Sequence, residues 1–263
     1  VHGVWVKNTT SMYCVSFPEA AETLRRKGVP ANRIKVTGIP LMPAFSNIPT
    51  QTKARRDLGL NQQPTILITG GQCGIGVLDT VRQLLQDPRH DYQILVTAGS
   101  NPADTEALKS LAQTYRSRFR LFGWQNDMSH LLCAADVVVG KPGGLSVSEA
   151  LACGRPFIAT CCLGGQELHN LRFLRNHNAG LQVSLAELPN TLGELFDSPT
   201  GLAEMKKNAY RLGRPNAAWD LVAEIEPLLQ KNLASPPQAF APLARELPDH
   251  EPETTPIYHR AGQ

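Results

Sequence analysis

Short apolar runs alternate along the chain with stretches whose hydrophobic positions recur at helical spacing. Residues 65–69 read Thr-Ile-Leu-Ile-Thr, a run with no polar interruption at its centre. That is the pattern of a strand covered on both faces. The same reading predicts strands over 92–97, 119–122, 137–140, 156–159 and 180–183. Between them it predicts helices over 78–86, 102–115, 128–134, 146–153 and 167–176, and further helices over 185–196, 200–212 and 217–229. Strands that alternate with helices of about ten residues imply an α/β fold with a doubly wound parallel sheet. Ligands of such sheets sit beyond the carboxyl ends of the strands.

Upstream the pattern is shorter. A strand over 13–16 is followed by Pro18 and a helix over 19–27, with Glu19 early and Arg25, Arg26 and Lys27 late, as the helix dipole prefers. Gly28 stops it. A second strand over 34–37 closes on Gly38-Ile39-Pro40. The stretch 43–63 carries prolines and one short helix over 52–58, and it reads as a connection between two lobes. From about residue 232 the chain is rich in Pro, Glu and Ala without periodicity, which predicts a disordered tail over 232–263.

Composition narrows the function classes. The net charge is +3, and no Lys/Arg block stands out, which argues against nucleic acid as a partner. No apolar run reaches the length of a membrane span, because Asp136 and Arg155 interrupt the longest ones. The chain begins at Val1 without a basic and apolar leader, so we expect an N-terminally truncated chain with no signal peptide. Six cysteines form no Cys-x-x-Cys pair, and the expectation is buried, reduced thiols in a cytosolic protein. No His/Cys cluster has the spacing of a zinc site, so no metal is expected.

Three loops carry candidate chemistry, each at the end of a predicted strand. In the first, Gly70-Gly71-Gln72-Cys73-Gly74-Ile75-Gly76, glycines let backbone N–H groups approach an anion, and a helix N-terminus follows. A tight turn without ligand gives the same pattern. The second is Gly140-Lys141-Pro142-Gly143-Gly144-Leu145-Ser146-Val147-Ser148-Glu149. Here Gly143 and Gly144 permit close approach to a phosphate, and Ser146 is placed to cap the helix. Glu149 reads either as the second half of a capping box with Ser146 or as a carboxylate that accepts hydrogen bonds from ribose hydroxyls. The third is Gly164-Gly165-Gln166-Glu167-Leu168-His169-Asn170. It gathers donors and acceptors suited to sugar hydroxyls, or it is simply a polar helix start. Phe122-Gly123-Trp124 follows another strand and either frames a flat base or packs in the core.

Taken together, these loops resemble the C-terminal lobe of family 28 glycosyltransferases, above all the monogalactosyldiacylglycerol synthases and processive diacylglycerol glucosyltransferases. His2, Trp5, Tyr13, Val15, Gly28-Val29-Pro30 and residues 36–40 resemble the end of that family's N-terminal lobe. The resemblance implies a GT-B fold, with a Rossmann-like donor lobe over 46–214 and a remnant of the acceptor lobe over 1–45. A last helix over 215–231 would cross back between them. It implies a UDP-sugar-dependent, inverting hexosyltransferase of glycolipid biosynthesis, acting on a lipid acceptor such as diacylglycerol. The implied protein is cytoplasmic and peripheral at the inner face of the membrane. No cofactor is implied beyond the UDP-hexose donor. Glu149 would bind ribose; Gly143, Gly144, Ser146 and Ser148 would lie near the diphosphate, together with Lys141 and Pro142. Gln166, Glu167 and Asn170 with Gly165 would face the hexose. Phe122, Gly123, Trp124 and Met128 would frame uracil, and Gly70, Gly71 and Gly74 would help at the phosphates. The family's general base lies in its N-terminal lobe and has no counterpart here, so this chain alone is expected to be inactive. A UDP-sugar 2-epimerase on the same architecture and a non-catalytic UDP-sugar-binding module are the rival expectations.

Overall fold

The computed structural model describes residues 3–87 and 91–232. His2 and the tail beyond residue 232 lie outside the described residues. Two parallel strands, β1 (Tyr13–Val15) and β2 (Ile34–Val36), are linked by helix α1 (Pro18–Arg26). Ala21 and Leu24 of α1 pack on Ile34, Tyr13, Val15 and Val36 to form a small separate core. Helix α2 (Gln51–Asp57) then leads into the main sheet.

That sheet has six parallel strands: β3 (Thr65–Thr69), β4 (Gln93–Thr97), β5 (Phe119–Phe122), β6 (Val137–Gly140), β7 (Phe157–Ala159) and β8 (Gly180–Gln182). Their spatial order is β5-β4-β3-β6-β7-β8. Counted from β3, this is the 3-2-1-4-5-6 order of the doubly wound nucleotide-binding fold. The helices are α3 (Val77–Leu85), α4 (Pro102–Thr114), α5 (Ser129–Ala134), α6 (Gly144–Ala152), α7 (Gln166–Asn176), α8 (Leu188–Asp197), α9 (Pro199–Leu212) and α10 (Ala217–Asn232).

Alternation along each strand divides the core in two. Leu67, Leu95, Val138 and Phe157 face one layer with residues of α2, α5, α6, α7 and α9. Ile66, Ile68, Ile94, Val96, Val137, Val139 and Ile158 face the other, with residues of α3, α4 and α8. This two-sided burial is why the strands read as continuous apolar runs.

The strand order reverses between β3 and β6. There Thr69 pairs with Gly140, and a Cβ on Gly140 would lie 1.8 Å from the Thr69 carbonyl oxygen. Only glycine permits the two strand ends to close at that point. Both glycine loops named above therefore leave the sheet side by side at its switch point.

At the opposite, amino end of these two central strands a buried charge holds four elements together. The Asp136 carboxylate pairs with Arg55 at 2.7 Å and Lys206 at 2.6 Å, and accepts the Thr65 N–H at 2.8 Å. Burial alone would raise its pKa, but the Lys206 and Arg55 charges and the Thr65 amide hold it below the usual carboxylate value. All six cysteines are unbridged. Cys133 and Cys153 are buried as expected, but Cys14, Cys161 and Cys162 are half-buried and Cys73 is exposed. The last departs from the expectation because the first glycine loop stands out from the sheet.

Candidate functional site

Three sets of residues converge at the carboxyl end of the sheet. The β3 loop folds on itself: Gly74 N–H donates to the Gly71 carbonyl at 3.1 Å, and Ile75 N–H to that of Gly70 at 3.2 Å. A Cβ on Gly99, in the turn after β4, would meet Gly74 N at 2.2 Å, so the two loops touch backbone to backbone. Gly70 is likewise confined, by Gly74 and Ile75, whereas Gly71 has open space around it. The Gly74 and Ile75 amides are thus engaged within the loop, and Gly71, Gln72 and Cys73 form its exposed tip. The turn at Gly99-Ser100-Asn101 is a plain helix start, with Asn101 Oδ1 accepting the Ala103 N–H at 3.0 Å.

The β6 loop corrects one expectation. Helix α6 begins at Gly144, with Gly143 as its extended N-cap and no side-chain cap. Ser146 is therefore the third helical residue and not the cap. Glu149 is the sixth, which removes the capping-box reading, since that motif needs the acid at the third position. The early start has a packing reason: a Cβ on Gly144 would come within 3.0 Å of Ile39 Cδ1. Gly143 is less confined: a Cβ there would make ordinary contact, 3.8 Å from Lys141 Nζ and 3.9 Å from Ser146 Oγ.

Glu149 itself is partly buried, and its pKa is pushed up to about 7, first by burial and then by the Asp127 carboxylate. Sequence reading passed over Asp127. Its local signal was that of a turn: Asp127 Oδ1 accepts the Ser129 N–H at 2.8 Å where α5 begins. Nothing local announces its second role beside Glu149.

The base-framing candidates divide. Phe122 and Met128 pack against the main core, while Trp124 is 68% exposed with its indole N–H on Asn126 Oδ1 at 3.2 Å. Gly123 has open space around it.

The start of α7 is tied to the β6 loop. Lys141 pairs with Glu167 Oε1, whose other oxygen accepts the Leu163 N–H at 2.8 Å. Asn170 is buried and donates through Nδ2 to the Pro142 carbonyl at 2.9 Å. Gln166 is exposed, and Gly165 precedes it at a φ of 57°. Beside α6, a small cleft is lined by Ser16, Phe17, Ile39, Ser148, Leu151 and Arg214. It lies where the β1–β2 unit meets the large sheet. Among the described residues no group of three His, Cys, Asp or Glu side chains is placed to hold a metal.

Residues 75–193, which span the first helix of the sheet through α8, match the family described as glycosyl transferases group 1. Over this stretch, a little under half of its length, the chain is similar to that family. The curated proteins to which the chain is similar include the two enzyme types that the loops resemble. A processive diacylglycerol beta-glucosyltransferase of Bacillus pumilus is 27% identical over 86% of this chain and 59% of its own length. Monogalactosyldiacylglycerol synthase 1 of Arabidopsis thaliana is 28% identical over 89% of this chain and 46% of its own. The chain thus spans about half to three fifths of these relatives.

The fold is shared more widely. Anabaena HepE, solved in complex with UDP and glucose, superposes with a TM-score of 0.53 at 19% identity, over 86% of this chain and 63% of its own. A putative UDP-N-acetylglucosamine 2-epimerase from Listeria monocytogenes superposes at 0.62 and 19% identity, over 88% and 62%. At these identities the likeness is one of fold. The neighbours include glycosyltransferases of the GT-B class, so the expected α/β architecture holds.

Proposed function

We propose that the chain is the donor-binding part of an inverting hexosyltransferase, which moves a hexose from a UDP-sugar to a lipid acceptor such as diacylglycerol. The observation that carries this reading is the placement of Glu149 on α6, five residues past a helix N-terminus that opens at the switch point of the sheet. Amides at that terminus suit a diphosphate, and a carboxylate one and a half turns along suits the ribose. The relatives' names supply the reaction and the lipid class.

In this reading residues 46–214 form the donor lobe, residues 1–45 belong to the acceptor lobe, and α10 joins the two. The Lys35–Glu224 pair at 2.9 Å supports the last assignment, because it ties α10 to β2. Trp124 and Gly123 are assigned to the uracil face, and Gln166 to the hexose. Among the described residues no helix is long and apolar enough to cross a membrane. The attachment we propose, from the lipid acceptors in the relatives' names, is peripheral at the cytoplasmic face.

Transfer needs a base for the acceptor hydroxyl, and none of the assigned residues fills that role. The chain by itself is expected to bind UDP and to form negligible glycolipid. Titration calorimetry with UDP, followed by product analysis with UDP-glucose, UDP-galactose and diacylglycerol vesicles, tests both halves. Absence of UDP binding would sink the donor assignment. Robust glycolipid synthesis would contradict the assignment of the base elsewhere. Release of an epimerised sugar from UDP-N-acetylglucosamine would move the reading to the epimerases.

A further inference from the structure

The side chain of Glu149 has no hydrogen-bond or ion-pair partner among the described residues, and the charge that acts on it is another carboxylate, that of Asp127. Their placement follows from the helices that carry them. Helices α5 and α6 both start at the carboxyl end of the sheet, and Leu131 and Leu132 share one core with Val147, Ala150 and Leu151. At the far ends the thiols of Cys133 and Cys153 meet. Cys153 lies four residues beyond Glu149, and Cys133 four beyond Ser129, so Glu149 is level with the turn that carries Asp127.

Asp127 is held in that turn. Its Oδ1 accepts the Ser129 N–H at 2.8 Å, and Oδ2 lies 3.8 Å from His130 Nδ1. The other ring nitrogen of His130 lies 3.8 Å from Asp57 Oδ2, and Asp57 is paired with Lys53 on α2. Cys153, one turn further along α6, is a neutral neighbour, its thiol pushed up by Cys133 and by burial. Of the cations nearby, Lys141 is taken by Glu167, Arg155 lies beside Cys153, and Arg214 borders the cleft next to Ser148. A carboxyl with neither a donor nor a cation beside it is kept protonated by burial first, and then by the repulsion of a neighbouring carboxylate. Ribose hydroxyls would supply the missing donors, and each hydrogen bond they give to the ionised form favours loss of the proton.

Resting on the donor reading above, we propose that Asp127 is a positioning residue that acts on the nucleotide through Glu149: its charge helps to keep a proton on Glu149 in the empty site, and binding of a uridine nucleotide expels that proton to solvent. His130 moderates the effect, because a proton on its ring screens Asp127.

Calorimetric titration of the full chain with UDP, in pairs of buffers that differ in ionisation enthalpy, counts the protons released. Glu149→Gln supplies the baseline of protons that come from UDP itself. Wild type at pH 7 should release about half a proton more than that baseline. Asp127→Asn keeps the Oδ1 that accepts the Ser129 N–H and removes the charge. It should lower the release at pH 7, strengthen UDP about two- to threefold at pH 6, and leave the affinity at pH 8.5 unchanged. His130→Gln should move the pH midpoint of binding the other way, upward, and have no effect in the Asp127→Asn background. Equal strengthening at both pH values would mean that Asp127 repels the phosphates directly, and it overturns the proposal; so does an Asp127→Asn profile that matches wild type. A role confined to folding would change the melting temperature and leave the proton count unmoved, which also overturns it. If Asp127→Asn is unstable, His130→Gln decides, and a midpoint that stays in place overturns the proposal. Wild type that binds UDP without releasing a proton overturns it while UDP binding stands. Wild type that binds no UDP overturns the donor reading and this proposal together.

Discussion

Glu149 serves two opposed demands. Its carboxyl is costly to ionise in the empty site, yet a ribose-binding role needs the carboxylate. With the folded pKa raised to about 7, the folded state holds its proton more tightly than the unfolded one. The ligand-free protein therefore loses stability as pH rises from about 4.5 to about 7, and the penalty is complete above that. Glu149→Gln should stabilise the empty protein at pH 8 by about 2 kcal/mol, read from denaturant midpoints. The same substitution should weaken UDP binding by about 1–3 kcal/mol. In the wild type, UDP affinity should strengthen between about pH 6 and 8 as the carboxylate forms, which a pH series of titrations reads directly. A flat series with unchanged affinity in Glu149→Gln would take the ribose assignment away.

The elements were legible to the degree that their cause was local. Ile66, Leu67 and Ile68 announced a strand because both of its faces are covered, and every strand of the sheet lies within a residue or so of its expected place. Helix α6 was misplaced by two residues because Gly143-Gly144 looks like loop on propensity alone. Ile39, more than a hundred positions upstream in the chain, packs on Gly144 and overrides that preference. The Lys141–Glu167 pair was invisible for the same reason, since its partners come from two different βα units. Asp136 was legible only as a charge that interrupts an apolar run; its partners Arg55 and Lys206 give no sign of it in sequence. Removing one partner of a buried pair leaves the other uncompensated. Arg55→Ala or Asp136→Asn should therefore cost about 3–5 kcal/mol in urea unfolding. The folded pKa of Asp136 lies below its ordinary value, so its contribution is present above about pH 4 and is lost as pH falls through the folded value. Acid unfolding of Asp136→Asn should be correspondingly less steep than that of the wild type.

At the scale of the whole molecule, the β1–β2 unit and the large sheet are joined by a few specific contacts. Phe17 stacks on Phe173 with ring centroids 3.8 Å apart, and Phe173 in turn meets His177 at 4.6 Å. Lys35 reaches Glu224 on α10, but this pair is 40% and 35% exposed and contributes about 1 kcal/mol at most. The aromatic stack carries more. Phe17→Ala should destabilise by about 1–3 kcal/mol, and hydrogen exchange should accelerate in β1, α1 and β2 before it does in β3 or β6. Uniform acceleration through the six-stranded sheet would mean that the two cores unfold as one.

The exposed thiol of Cys73 stands at the tip of the first glycine loop, directly over the switch point, while Cys133 and Cys153 are shut inside. A maleimide dye would find that tip more open than any other thiol in the chain. Fluorophore placed there would look straight into the mouth of the sheet, so that its quenching or brightening would time the arrival and departure of a nucleotide without altering any residue assigned to hold it.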